Sequence, residues 1–415
     1  MQADIRKFIY KECKLIALNV FLYCSIIMQL PDANIGTEVN VYQLSKAEFF
    51  LGRGLNNCKK KFVLERFGRI AFIGGSITAA PGWRDSVCAY IEREFPHTRF
   101  EFINASVGGT NSTFGSARLD EDIFNKGKID LMFLEFVVND NMAISSDNNP
   151  SLAMEGIIRH ARHKNPELDI FVLYFADKSN VQEFKKGERP HTISLHDEVT
   201  KYYNITVLNL AKSIAVSVEA NDFCWEQFSS DLCHPTAFGH GQYARAITAA
   251  LQSAWRSKYI DPNDEIVSYK LPMPLNARNY ENGHFVEPSK AHIISGWRLV
   301  PNWTAEKTCN YSGLVDVLTA TESGAKLQLQ FEGIGVGIYA IAGMDAGTIE
   351  YDIDGKIKGT VQMFDSYCGM FHRPVFRVFD TNLAKGAHKL TLVIGSDRHE
   401  KSVGNAVRIV KFAVF

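Results

Sequence analysis

The chain has 415 residues, of which 46% are hydrophobic and 22% charged, and this composition excludes collagen-like, coiled-coil and wholly disordered proteins. Its 45 basic and 46 acidic residues leave a formal net charge of -1, so no overall positive field exists to hold nucleic acid. The length corresponds to two or three domains of about 150 residues each.

The first predicted element is an apolar segment near the N-terminus. The uncharged run Leu15–Leu30 follows four basic residues between positions 6 and 14. The run is short for a membrane-spanning helix, which needs about 20 apolar residues, but a basic start before an apolar run is typical of a secretory signal peptide. We therefore predict a leader over 1–33, export, and no stable membrane span once the leader is removed. The alternative is an amphipathic helix packed on the body of the protein.

Six cysteines would remain after removal of the leader, and they are Cys58, Cys88, Cys224, Cys233, Cys309 and Cys368. Cys224 and Cys233 are close enough in sequence to close a disulfide loop, but two unpaired thiols are equally compatible with the spacing. No Cys-x-x-Cys pair occurs in the chain, so structural zinc is not expected.

From about residue 66, short apolar runs alternate with helical patterns, which predicts parallel β-α units. The predicted strands are Arg69–Ile73, Phe100–Ile103, Leu131–Val138, Ile170–Phe175 and Ile205–Leu210, and the main predicted helices are Trp83–Phe95, Ser151–Lys164 and Ala237–Ala254. The nearly continuous apolar character of the third strand suits a central strand that is covered on both faces. We therefore predict a doubly wound α/β domain with a parallel sheet over 34–257.

The composition changes after about residue 258, where prolines, asparagines and aspartates predict a linker over 258–290. Beyond it, apolar and polar residues alternate around Leu327, Ile349 and Leu390, and Val407–Phe415 adds a further strand. Period-two segments with Gly-rich turns and almost no helix predict a β-sandwich of the jelly-roll kind over 291–415.

Four turns of the α/β region carry distinctive polar residues. They are Gly74-Gly75-Ser76-Ile77-Thr78, the segment from Asn104 to Thr110, Val138-Asn139-Asp140, and Asp231-Leu232-Cys233-His234-Pro235. Each turn alone has an ordinary explanation, such as a helix N-cap, a glycine turn or an Asx turn. In an open α/β sheet, however, such turns converge on one crevice at the carboxyl ends of the strands, and together they indicate a catalytic site.

The residue types in these turns fit acyl transfer. A serine hydroxyl attacks a carbonyl usefully when a base removes its proton, and His234 is placed to do so for Ser76. Asp231 can hold the imidazole in its reactive tautomer and stabilise the imidazolium. An oxyanion hole can form from the backbone N–H groups of Ser76 and Gly109 and the side-chain amide of Asn139. Glycine at position 109 allows the backbone to approach a substrate without a Cβ in the way.

This ordered set resembles the SGNH hydrolases, also called the GDSL-type lipase/esterase family, whose four blocks supply Ser, Gly, Asn and His in that order. The likeness covers roughly Arg69–Ala254, and the Gly-Asp-Ser-Leu signature of the family reads Gly-Gly-Ser-Ile here. It implies a flavodoxin-like hydrolase domain with Ser76 as nucleophile and with no cofactor or metal. No Gly-x-Ser-x-Gly elbow is present, which argues against an ordinary α/β-hydrolase.

An SGNH domain followed by a jelly-roll module also resembles bacterial polysaccharide acetylesterases. The resemblance implies an exported bacterial serine esterase that removes short acyl groups, above all acetyl, from an acylated carbohydrate. Two alternatives stay open: a lipase, thioesterase or acyltransferase with the same serine, and a glycan-binding protein without activity. Neither G-x-G-x-x-G nor a P-loop is present, so nucleotide binding is not expected.

A few other residues near the motifs allow two explanations. Glu135 and Arg118 either line the pocket or form a structural pair, and we favour the pair. Trp83 is either a sugar-stacking platform or part of the core, and we favour the core. His234 and His240 are six residues apart but lack an accompanying cluster of ligands, so no metal site is predicted.

Overall fold

The structure of the protein, a computed structural model, describes residues 48–143, 149–256, 260, 265–308 and 315–415. The predicted leader over 1–33 and Cys309 lie outside the described residues. Within the described ranges, no helix is both long enough and apolar enough to cross a bilayer.

The first domain contains a six-stranded sheet in the order β1-β6-β5-β4-β2-β3. Its strands are β1 (Glu48–Phe50), β2 (Phe67–Ile73), β3 (Arg99–Asn104), β4 (Leu131–Leu134), β5 (Asp169–Tyr174) and β6 (Thr206–Asn209). Strands β2 to β6 are parallel and β1 pairs antiparallel with β6. Because β2 lies between β3 and β4, the strand order reverses there, and the carboxyl ends at such a switch point form the usual ligand crevice of this fold.

Helices cover this sheet, and β4, β5 and β6 are buried along their whole length, as strands with both faces covered are. The helices are α1 (Asn56–Leu64), α2 (Ser76–Ala79), α3 (Trp83–Glu94), α4 (Ser112–Ala117), α5 (Leu119–Asp122), α6 (Val137–Met142), α7 (Pro150–Lys164), α8 (Lys178–Lys185), α9 (His191–Tyr202), α10 (Leu210–Glu219), α11 (Trp225–Phe228) and α12 (Ala237–Ala254). The predicted α/β domain is therefore confirmed, with an additional antiparallel edge strand.

Most predicted elements of this domain agree with the observed bounds to within two residues at either end, but one strand differs by more. The third predicted strand, Leu131–Val138, ends at Leu134, and α6 starts at Val137. Residues 135–138 are buried, and a short buried run has no periodicity that distinguishes strand from helix. Helix α12, whose pattern is long and amphipathic, has the predicted bounds.

The second domain consists of two antiparallel sheets. Its strands are β7 (His284–Val286), β8 (His292–Ser295), β9 (Arg298–Trp303), β10 (Val315–Ala320), β11 (Lys326–Gly333), β12 (Val336–Ala342), β13 (Thr348–Ile353), β14 (Ile357–Gln362), β15 (Arg373–Asp380), β16 (Gly386–Ile394) and β17 (Val407–Val414). One sheet has the order β15-β12-β17-β10-β9, with β7 also paired to β17, and the other has the order β14-β13-β16-β11-β8.

Both sheets contribute to one apolar core, which includes Leu327, Ile338, Ile349, Leu392 and Ile409, so the predicted β-sandwich is confirmed. Its jelly-roll subtype stays a prediction. Strand β7 pairs with β17, so the segment predicted as a linker already contributes a strand to the sandwich.

The two domains share an apolar interface around Phe114 of α4. The ring of Phe114 lies 4.9 Å from those of Tyr339 and Phe376 and 5.7 Å from that of Phe285. Helix α4 directly follows the turn that carries Gly109, so the sandwich packs against the element that supports one of the candidate site residues.

Candidate active site

Ser76 lies in a sharp turn between β2 and α2 at the switch point of the sheet. A Cβ on Gly74 would collide with the carboxyl group of Glu135, and a Cβ on Gly75 would collide with the side-chain amide of Asn139. A side chain at either position would therefore require the side chain of Glu135 or Asn139 to move. In the Gly-Gly-Ser turn of this chain, Asn139 occupies the space that a side chain at position 75 would need.

The side chains of Ser76, His234 and Asp231 form a hydrogen-bonded chain. The hydroxyl of Ser76 lies 2.8 Å from Nε2 of His234, and Nδ1 of the same ring lies 2.8 Å from Oδ2 of Asp231. With the proton of the neutral ring on Nδ1, Nε2 is free to accept the serine proton. The structure thus brings together the three side chains that the sequence predicts to be the nucleophile, the base and its carboxylate partner.

The loop that carries His234 is held by its own polar groups. Oδ1 of Asp231 accepts the backbone N–H groups of Cys233 and His234 at 2.8 and 2.7 Å. The hydroxyl of Ser229 donates to the carbonyl of His234 at 2.7 Å, and the indole of Trp225 donates to the carbonyl of Asp231 at 2.9 Å. Asp231 therefore fixes both the backbone and the ring orientation of its partner.

The protonation states of His234 and Asp231 depend on each other. The hydrogen bond to Asp231 is the largest cause that raises the pKa of His234 above its ordinary value. Burial opposes ionisation of Asp231, but the hydrogen bond and the charge of His234 outweigh it and lower the pKa of this carboxyl. The pair therefore favours an imidazolium beside a carboxylate, which is the charge state that proton transfer from Ser76 would produce.

Gly109 and Asn139 lie next to the serine turn. The backbone N–H of Val107 donates to the carbonyl of Gly74 at 3.0 Å and so ties the second turn to the first. Gly109 has a φ of +73° and is exposed. A Cβ there would meet one atom within 4 Å, Nη1 of Arg373 at 3.4 Å. The space in front of Gly109 is therefore open except for a guanidinium from β15 of the sandwich.

Two buried charged residues, Glu135 and Arg118, support these turns from behind. Oε1 of Glu135 accepts the N–H of Gly75 at 2.8 Å and the hydroxyl of Thr78 at 2.6 Å. Arg118 donates to the carbonyl of Ala105, and it pairs with Asp122 at 2.7 Å. Both residues are at most 2% exposed. Both residues therefore have structural partners, but within the described residues they form no ion pair with each other: Glu135 bonds to Gly75 and Thr78, and Arg118 bonds to Ala105 and Asp122.

Burial is the main reason that the pKa of Glu135 rises to about 8. Between its ordinary pKa of about 4.5 and pH 8, the unfolded chain loses this proton while the folded chain keeps it, so stability must fall as the pH rises. We expect the Glu135→Gln variant to lack this fall. Between pH 5 and pH 8, its free energy of unfolding should therefore rise by about 4 kcal/mol relative to that of the parent.

Urea unfolding at several pH values measures this difference, with the exposed Glu198→Gln substitution as the matched control. Parallel stability curves for the parent and Glu135→Gln would show that Glu135 is ionised in the folded protein.

A further buried cluster lies beside Asn139 in the sequence, and no motif marks it beyond the Asn-Asp pair. Asp140, which is 0% exposed, accepts the backbone N–H and the hydroxyl of Ser112 at 2.9 and 3.0 Å, and it lies 2.8 Å from Nε2 of His196. His196 belongs to α9, which no motif marks. Asp140 thus joins α4, α6 and α9 next to the candidate site.

The remaining residues singled out in the sequence have structural surroundings. Trp83 is fully buried and packs against Phe72, Phe133 and Phe175, so it belongs to the core. Nδ1 of His240 accepts the N–H of Trp83 at 3.3 Å.

Cys224 and Cys233 are free thiols. Among the described residues, the donor atoms of Asp231, Cys233 and His234 lie within 4.8 Å of one another. Nδ1 of His234 and Oδ2 of Asp231 are already bonded to each other in the serine chain.

Residues 72–242 match the profile of the family described as "GDSL-like Lipase/Acylhydrolase family". No curated protein matches the sequence of the chain.

Two solved structures of a two-domain esterase active on acetylated mannans, one of them co-crystallised with mannopentaose, are similar to this chain with a TM-score of 0.72 and 21% identity. The match covers 90% of this chain and 97 to 98% of those chains. The structure of an acetyl xylan esterase aligns with 45% of this chain at 18% identity and a TM-score of 0.38. The two-domain match therefore shows the fold over both domains.

Proposed function

We propose that this chain uses Ser76 to remove short acyl groups from a carbohydrate. Residues 72–242 are a GDSL-like lipase/acylhydrolase domain, and the chain is therefore an ester-bond hydrolase. The observation that carries the proposal is the hydrogen-bonded chain from Ser76 through His234 to Asp231. Acetyl is the acyl group that we propose.

The proposed reaction has two steps. Oγ of Ser76 attacks the ester carbonyl carbon while its proton moves to Nε2 of His234, and the imidazolium then protonates the departing sugar oxygen. This leaves an acyl-enzyme on Ser76. A water molecule, deprotonated by His234, then attacks the acyl carbon and forms a second tetrahedral intermediate. When this intermediate collapses, the carboxylic acid leaves and the imidazolium of His234 returns a proton to the oxygen of Ser76.

The negative oxygen of each tetrahedral intermediate needs donors that are already in place. We assign this role to the backbone N–H groups of Ser76 and Gly109 and to the side-chain amide of Asn139. Three observations support the assignment: Asn139 abuts Gly75, the Gly109 turn is bonded to Gly74, and the space before Gly109 is open.

We expect Asn139→Ala to lower kcat by about 10² to 10³-fold with little change in KM, because an oxyanion donor acts in the transition state and hardly in the ground state. The initial rates of 4-nitrophenyl acetate hydrolysis measure this. The matched control is Asn141→Ala, since the Asn141 amide donates to Asp177 and Ser179 instead. A rise in KM at constant kcat would place Asn139 in substrate binding.

The sandwich supports the choice of a carbohydrate substrate. Arg373 of β15 lies over the open side of Gly109, and its guanidinium carbon is 5.1 Å from the ring centre of Tyr367. Tyr367 is 51% exposed and its ring is inclined by 22° to that of Phe371 at 6.4 Å. Exposed aromatic faces and a guanidinium fork suit the C–H faces and hydroxyls of a sugar. We therefore propose that Arg373 and Tyr367 contact the glycan that carries the ester.

For Arg373→Ala we expect kcat/KM on acetylated manno-oligosaccharides to fall by about 10-fold or more, because a hydrogen bond to a charged group contributes about 1.5–3 kcal/mol. Activity on 4-nitrophenyl acetate, which has no glycan, should change little. Lys385→Ala, which removes an exposed cation of the same domain, is the control. An equal loss on both substrates would indicate that Arg373 affects the catalytic turns and not glycan binding.

The activity itself is tested with 4-nitrophenyl esters of increasing chain length and with acetylated mannan and xylan oligosaccharides. We expect the rate to fall steeply beyond acetate and free acetate to appear from at least one glycan. Faster hydrolysis of long-chain esters would favour a lipase, and transfer of the acyl group to an added alcohol in preference to water would favour an acyltransferase. If no ester is cleaved, a glycan-binding protein becomes the better hypothesis.

We also propose that the protein is exported in a bacterium, on the basis of the basic start and the apolar run Leu15–Leu30. Expression of the full chain followed by fractionation tests this. N-terminal sequencing should find the exported protein shortened near residue 33, whereas an intact N-terminus in the cytoplasmic fraction would contradict the proposal.

A further inference from the structure

A small cavity lies beside the N-terminal ends of β5 and β6. Because the strands are parallel, this end of the sheet is opposite to the carboxyl ends that carry Ser76 and Asn139. The cavity has a volume of about 210 Å³ and is lined by the cations Arg53, Arg162 and Lys270, together with Tyr202, Tyr203 and Leu271 among other uncharged residues. No acidic side chain belongs to this lining, all of which lies in the described part of the chain.

Arg162, in the last turn of α7, is the buried cation of the cavity. It is 7% exposed, and its guanidinium carbon lies 3.8 Å from the ring centre of Tyr269. Its Nε has no hydrogen-bond partner. The ion pairs formed among the described residues do not include Arg162, Arg53 or Lys270. Burial lowers the pKa of Arg162 to about 10.

The protein's own groups compensate this charge only in part. The contact with Tyr269 uses the face of the guanidinium and leaves its N–H edge without an acceptor. The helix C-terminus attracts a cation weakly, and this effect is confined to the last turn. The charge of the buried Asp169 also acts on Arg162, but the oxygens of this carboxyl accept hydrogen bonds from Cys58 and Tyr269. None of these groups replaces the hydration that a buried cation loses, and a buried guanidinium without a hydrogen-bonded carboxylate is uncommon because this loss is large.

We propose that this cavity binds a small oxyanion, a carboxylate or phosphate group, against Arg162, with Arg53 and Lys270 at its rim. A guanidinium fork matches the two oxygens of either group. Tyr202 and Leu271 line the cavity beside these cations. An acidic sugar, whose ring would pack against these two side chains, and free phosphate are the two sources with this chemistry. The site is separate from ester hydrolysis and does not depend on the proposed function.

Thermal unfolding of the full chain tests the proposal. A ligand that binds only the folded state raises the melting temperature, and we expect a rise of at least about 3 °C at a large excess of sodium phosphate or sodium glucuronate. Glucose serves as the neutral control and sodium chloride at matched ionic strength serves as the salt control. A rise with phosphate alone would identify a free anion as the ligand, and a larger rise with glucuronate would identify an acidic sugar.

The variants decide whether the effect belongs to this cavity. Arg162→Gln should abolish the rise, and the double variant Arg53→Ala/Lys270→Ala, which changes only exposed side chains, should weaken it even if Arg162→Gln folds poorly. Arg245→Ala, an exposed arginine on α12, should keep it. All variants should hydrolyse 4-nitrophenyl acetate at the rate of the parent. Absence of esterase activity in the parent would contradict the proposed function but would leave the test of anion binding unaffected. A rise no larger than that with chloride, or one that survives in the double variant unchanged, would overturn the proposal.

Discussion

Replacing Ser76 by alanine is expected to lower kcat for 4-nitrophenyl acetate by at least about 10⁴-fold, because the reaction then loses its nucleophile and retains only the surrounding donors. Ser76 is partly exposed, and its hydroxyl is paired with His234. Removal of one oxygen atom at such a site should leave the melting temperature nearly unchanged.

Two measurements check this result together. Initial rates give the loss of activity, and mass spectrometry after treatment with a fluorophosphonate should find one label on Ser76 in the parent and none in the variant. The matched control is Ser86→Ala, an exposed serine on α3. Undiminished turnover in Ser76→Ala with normal folding would refute the assignment of the nucleophile.

The second large effect is expected for Asp231→Asn, which should lower kcat by about 10³ to 10⁴-fold. An asparagine of nearly the same shape can donate to Nδ1 and so hold the ring in the wrong tautomer, and it cannot stabilise the imidazolium. The loss should exceed that for Asn139→Ala, since one oxyanion donor is worth less than a correctly oriented base.

The same variant has a defined effect on the pH profile. Activity requires the neutral form of His234, so it rises as the pH increases through the pKa of this group. Because Asp231 raises that pKa, its removal should move the acidic limb of kcat/KM to lower pH. Rates measured between about pH 5 and pH 10 test the shift, with Asp397→Asn in an exposed segment of the sandwich as the charge control. An unchanged limb would mean that another group sets it.

The distribution of polar residues among the turns explains how far the sequence could predict the site. Ser76, Asn139 and the Gly109 turn each follow a strand of clear apolar pattern, and parallel strands end at one edge of the sheet. Their proximity was therefore predictable before any distance was known. The contact between Asp231 and His234 was also predictable, because two residues that are three positions apart on one loop can bring Oδ2 and Nδ1 into contact.

The supporting contacts lacked such a signal. Glu135 was predicted to lie within a strand, but it follows β4 and accepts hydrogen bonds from Gly75 and Thr78. A lone carboxylate in an apolar run does not identify its partners, because they come from another segment of the chain. For the same reason the interactions of Arg118 with Ala105 and of Asp140 with His196 follow from packing alone.

The order of the two domains, the parallel sheet and the candidate catalytic residues could be predicted from the sequence, since periodicity and turn chemistry are local properties of the chain. Three features appear only in the folded chain: Asn139 abuts Gly75, Arg373 of the sandwich faces Gly109, and Arg162 is buried without a hydrogen-bonded carboxylate. These contacts join segments that are distant in sequence, and the packing of the two domains and of the helices on the sheet brings them together.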